Sequence, residues 1–137
     1  MTLGTQSIPP AMKFEHFALN VPDARASARW WVDQLGLSVV RSRPDEPYTS
    51  FLADETGRVI VELYTNPSVT PPDYPSMPPL NFHAAFVAAD AQATRTRLER
   101  AGASLFKEET LPDGSVLVMM RDPWGVPLQF CQRAKPF

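Results

Sequence analysis

One cysteine, two histidines and six glycines in 137 residues leave little material for covalent chemistry, metal binding or loop-built sites. The single cysteine, Cys131, excludes an intramolecular disulfide and fits a reducing, cytoplasmic compartment. No apolar run approaches the ~20 residues that cross a bilayer, so no membrane span is expected. The formal net charge is −2 and the basic residues form no block, which argues against a nucleic-acid or membrane-surface partner. Residues 1–12 lack a basic start and an apolar core, so no signal peptide is expected. What remains is ordinary: 44% hydrophobic and 20% charged residues, the balance of a globular protein. The length allows one compact domain, or two half-size units too small to be stable alone.

Proline is the one excess. Six of the 15 prolines fall in residues 67–79 (PSVTPPDYPSMPP), which can be neither helix interior nor central strand. This stretch divides the chain almost evenly and reads as an extended linker between a module at 13–66 and another at 80–133.

The same order of elements recurs on both sides of it. In the first half, residues 14–21 alternate as a half-buried strand. Asp23 is placed to cap a helix and Gly36 to close it, with Ala24, Ala28, Trp31 and Leu35 on one apolar stripe. Strands are expected at 37–43, 48–53 and 58–64. In the second half a strand spans 80–87, Asp90 caps a helix, Gly102 ends it, and strands follow at 104–110, 115–121 and 126–132. The chain therefore predicts an α+β fold of tandem βαβββ modules within a single domain. The register supports duplication: His83 follows His16, Asp90 follows Asp23, and Gln129 follows Glu62, each by 67 residues. The only two histidines are thus superposed.

Strand alternation places four polar residues away from the helix-packed faces. His16 opposes Phe17, Leu19 and Val21; Glu62 opposes Val61 and Leu63; His83 opposes Phe82, Ala84 and Phe86; Gln129 opposes Leu128 and Phe130. Two imidazoles, a carboxylate and a neutral amide suit a divalent metal such as Ni, Co, Zn, Mn or Fe, with room for water or substrate. Tyr64 and Asn81 share those faces and are candidate substrate contacts, and Trp124, in a turn, is a candidate lid. Trp30 and Trp31 read as core, and Cys131 as a buried small hydrophobe rather than a nucleophile. Arg41, Arg43 and Arg121 are the available anion contacts.

The duplicated βαβββ pattern, the strand-borne His16/Glu62/His83/Gln129 set and the closing DPWGVPLQF resemble the vicinal oxygen chelate superfamily. Glyoxalase I, methylmalonyl-CoA epimerase, extradiol dioxygenases and bleomycin-resistance proteins belong to that group. The resemblance covers roughly residues 13–133. It implies a U-shaped cavity with metal ligands from the first and last strands of each module, a small-molecule substrate and a homodimer. Where glyoxalase I enzymes usually carry a last-strand carboxylate, this chain carries Gln129, so Glu62 is the one ligand carboxylate and the candidate catalytic group. Methylmalonyl-CoA epimerase resembles a His/Gln/His/Glu arrangement, which exchange of the two halves turns into the order found here. The expected activity is that of a glyoxalase-like lyase or isomerase, on a small carbonyl substrate chelated to the metal. The alternatives are a metal-free binding protein of the bleomycin-resistance type and an Fe(II) extradiol-type dioxygenase using His16, His83 and Glu62.

Overall fold

The computed structural model describes residues 7–137. Residues 1–6, part of the stretch read above for leader features, lie outside the described residues. The first half folds as β1 (Phe17–Asn20), α1 (Ala24–Leu35), β2 (Ser38–Ser42), β3 (Ser50–Ala53) and β4 (Val59–Tyr64). The second half folds as β5 (Ala84–Val87), α2 (Ala91–Arg100), β6 (Ser104–Thr110), β7 (Val116–Arg121) and β8 (Pro127–Gln132). Two four-stranded mixed sheets result, ordered β1-β4-β3-β2 and β5-β8-β7-β6, with β1 parallel to β4 and β5 parallel to β8. The free edges of the two parallel pairs are therefore β1 and β5. No helix among the described residues is long and apolar enough to cross a membrane.

Local chemistry sets the helix ends. The Asp23 carboxylate accepts from the Ala26 amide, and that of Asp90 accepts from the Ala93 amide at the equivalent place. Gly36 closes α1 at φ 71°, a left-handed turn that costs glycine least. On α1 the buried side chains are Ala24, Ser27, Ala28 and Trp31, and on α2 they are Ala91 and Leu98. These meet Leu52, Val61 and Leu63 of the first sheet, and Val118, Met120, Leu128 and Phe130 of the second, in one continuous core.

Trp31 joins the halves. It is fully buried, packs edge-on against Phe86, and its indole N–H donates to Asp122 Oδ2 at 3.0 Å. Trp30 adds a second cross-link, donating to the Ala101 carbonyl at the end of α2.

The proline-rich linker is pinned at both ends rather than simply extended. One turn of 3-10 helix (Tyr74–Ser76) interrupts it, and Tyr74 is buried with its hydroxyl donating to the Asn20 carbonyl of β1. Burial pushes the Tyr74 phenol up to about 12. From the other sheet, the Arg121 guanidinium donates to the carbonyls of Tyr74 and Met77. Arg121 is thereby a strap on the linker, committed to backbone oxygens rather than free for an anionic ligand. Gly125 lies beneath the same turn with φ 95°, and a Cβ there would stand 2.5–2.7 Å from Pro75. Gly125→Ala is expected to cost about 2 kcal/mol or more in urea unfolding, from strain and displacement of the linker together.

Candidate functional site

The two histidines do not sit within strands, as alternation had placed them. The first strand starts at Phe17 and the fifth at Ala84, so His16 and His83 each occupy the position just before a strand. Before β5 the cause is the pair Pro78-Pro79, which opens a turn closed by the Asn81 amide donating to the Pro78 carbonyl. Asn81 consequently stands exposed in that turn, away from the sheet face assigned to it.

Both histidines nevertheless present the same ring nitrogen. His16 Nδ1 lies 2.9 Å from Glu15 Oε1, and His83 Nδ1 lies 2.7 Å from the Pro79 carbonyl oxygen. A carboxylate and a carbonyl only accept, so Nδ1 carries the proton in each ring and Nε2 is left as the outward nitrogen. In His16 that nitrogen faces Glu62 Oε1 at 3.5 Å, while the ring stands edge-on to Phe51 at 5.4 Å. A neutral imidazole lone pair and a carboxylate oxygen at this separation repel, unless a proton or a metal cation lies between them. Metal–ligand bonds of about 2.0–2.2 Å hold two ligands of one ion roughly 3–3.5 Å apart, so the pair fits two corners of a metal shell. Register confirms that Glu62 points away from the helix: it lies opposite Ala18 on one side and Phe51 on the other, while Val61 and Leu63 are fully buried.

The second sheet carries Gln129, the repeat-equivalent of Glu62. Gln129 stands between Ala85 and Met119 on the face away from α2, half-buried, and its Oε1 accepts from the Cys131 thiol at 3.4 Å. Cys131 is buried, and its thiol is pushed above its usual range by that burial, so it behaves as a small apolar residue. Ala85 and Val87 on this face are exposed, Val87 to 88%.

Among the described residues no three His, Cys, Asp or Glu side chains gather as a ligand set. The structure thus brings His16 to Glu62, but it does not bring His83 to join them. A cavity of about 430 Å³ opens between the C-terminal ends of β1 and β4 and the linker, and Tyr64 lines it. A wider cleft of about 980 Å³ runs along β5 and is lined by His83, Phe17 and Arg97. Trp124 lines neither; its backbone amide donates to Asp122 Oδ1 within the β7–β8 turn. Sequence reasoning missed Glu15, whose carboxylate orients His16, and its only signal was adjacency to the histidine.

These features define a class: a duplicated βαβββ protein with a His16–Glu62 contact beside one sheet and the repeat-equivalent His83 and Gln129 in the other half. Residues 16–131 match the glyoxalase-like domain family, and the chain belongs to that family. No curated protein matches it. Among solved structures, SMU.1112c is 26% identical over 88% of this chain and 98% of its own, with a TM-score of 0.68. Lactoylglutathione lyase from Agrobacterium tumefaciens is 21% identical over 90% of this chain and 96% of its own, at a TM-score of 0.65. TnmS3, an antibiotic binding protein from Streptomyces sp. CB03234, is 18% identical over 93% of this chain and all of its own, at a TM-score of 0.69. The last two likenesses speak for the fold alone, and they span both an enzyme and a binding protein.

Proposed function

We propose that the chain is a divalent-metal-dependent lyase or isomerase of the glyoxalase type, acting on a small carbonyl compound. In this reading the metal site is completed between two copies: His16 and Glu62 of one, His83 and Gln129 of the other. The observation that carries it is the shared ring orientation. Each histidine has Nδ1 tied to an oxygen acceptor, and in His16 the remaining nitrogen is set 3.5 Å from a carboxylate oxygen. The free edges of β1 and β5 and the exposed Ala85 and Val87 support pairing through this face.

When bound, the metal supplies Lewis-acid polarisation of the substrate's oxygens. Glu62 is the residue for proton transfer, since no other carboxylate belongs to the ligand set. Gln129 contributes an oxygen without charge, so a single carboxylate offsets the cation. Glu15 holds His16 in the tautomer that keeps Nε2 forward.

Wild-type protein titrated with Ni, Co, Zn or Mn after chelator treatment is expected to retain about one ion per chain and to gain several degrees in Tm. Glu62→Gln and His83→Ala are expected to lose at least about tenfold in metal affinity. A wild-type protein that neither retains metal nor gains stability would sink the proposal and leave the metal-free binding protein. That His83 does not join His16 and Glu62 within one chain is what favours that second reading.

A further inference from the structure

The cavity of about 430 Å³ beneath the linker has no Asp, Glu, Lys, Arg or His in its lining. Its walls include Ala18, Tyr64, Val69, Met77 and Phe82. Its amide and phenol groups are largely committed to one another. Asn20 Nδ2 donates to the Val69 carbonyl, Asn20 Oδ1 accepts from the Asn66 amide, and the Tyr74 hydroxyl donates to the Asn20 carbonyl. Among the described residues the Tyr64 hydroxyl, the Thr70 hydroxyl and the Asn66 side-chain NH2 have no hydrogen-bond partner, so these neutral groups are what the lining leaves for a ligand. The volume falls within the ~300–1,000 Å³ of small-molecule sites.

The position of this cavity matters as much as its chemistry. Ala18, on its wall, lies directly opposite Glu62 in the β1–β4 register. Tyr64 lies two residues beyond Glu62 on the same face of β4. A molecule seated here extends from an apolar, uncharged chamber straight onto the His16–Glu62 pair.

We propose that this cavity holds the body of the substrate, and that the substrate is an uncharged, largely apolar compound with one oxygen in reach of Tyr64. Charged carriers of the acyl-CoA or carboxylated thiol-conjugate kind are disfavoured in this chamber, because a charge set against its walls would meet no counter-charge there. The proposal rests on the reading of the Glu62 face as the reacting site, and the test separates the two.

The neutral fluorophore N-phenyl-1-naphthylamine is titrated into chelator-treated protein, with 2-acetylnaphthalene and 2-naphthoate as competitors of matched shape. The neutral fluorophore is expected to bind saturably, and the neutral ketone to displace it at least about tenfold better than the carboxylate. Val69→Asp, at a half-exposed position of the wall, is expected to weaken the fluorophore at least about tenfold, while Val69→Leu and the remote Val40→Asp leave it unchanged. Equal displacement by ketone and carboxylate, or binding indifferent to Val69→Asp, overturns the proposal. Because the protein is stripped of metal, failure of the metal titration in the preceding section leaves this result standing, and the reverse holds as well.

Discussion

Mixing His16→Ala with His83→Ala is expected to restore metal binding that neither variant shows alone. A site shared between two copies takes His16 and Glu62 from one chain and His83 and Gln129 from its partner. In a mixed dimer, one of the two sites then carries both lesions and the other carries none. With random exchange about half of the dimers are mixed, so the pool recovers about a quarter of wild-type metal, and a similar share of any activity. If all four ligands came from a single chain, every site in the mixture would keep one lesion and recovery would be nil. Elemental analysis of co-refolded or co-expressed pairs reads the outcome directly, with each single variant as baseline. The size of the effect follows from the ligand geometry: loss of one imidazole leaves Glu62 or Gln129 with at most two protein partners for the ion.

The second large effect is on stability, at the Trp31–Asp122 contact. Asp122 is 3% exposed and accepts from the Trp31 indole, the Trp124 amide and the Val126 amide. Asp122→Ala strips all of these donors of their acceptor, one of them on a fully buried tryptophan. The expected cost is about 3–5 kcal/mol, or a Tm lower by roughly 10–20 °C. Asp122→Asn keeps an oxygen for the turn amides but turns an amide group toward the indole N–H, and about 1–2 kcal/mol is expected.

Its pH dependence has a definite sign. Burial is the main influence on this carboxyl and raises it above the ordinary 3.8, while the indole and amide donors pull it back. A group raised on folding binds its proton more tightly in the native state, so its contribution is full below the unfolded value and is lost as pH rises through the folded one. The stability of wild type relative to Asp122→Asn should therefore be greatest in acid and shrink as pH climbs from about 3.8 through the raised value, then level off. Urea unfolding of both proteins across that range checks it. A difference that grows with pH would mean that the donors outweigh desolvation.

Much of this architecture was legible because its causes are local. Both helix caps, the Gly36 closure and the faces of β4 and β8 follow from residues within a few positions of one another. The 67-residue offset then made two modest readings support each other. The starts of β1 and β5 were not legible, because alternation continues through His16 and His83 while the backbone has not yet begun to pair. At β5 the turn opened by Pro78-Pro79 decides the matter. The grouping of the site was hidden for a different reason. How the two sheets sit relative to each other depends on Trp31 meeting Asp122, 91 residues away, and on Arg121 gripping the linker carbonyls. No periodic pattern encodes such contacts. The four candidate positions could be named from sequence, but not that His16 would meet Glu62 while His83 stays apart from them.

The outer strands carry one more consequence of the duplication. Pairing slips by one residue between Val39 and Arg41 on β2, and again between Leu105 and Lys107 on β6. A bulge kinks an edge strand and spoils its row of amides as a template for a further chain. The strands at the far edge of each sheet are thus poor sites for growth, while β1 and β5 keep an unbroken register with their neighbours. Two copies joined through β1 and β5 use up the regular edges, and nothing straight is left for a third. In a dimer of that kind the same irregularities would make the assembly self-limiting and set it against open-ended fibre formation.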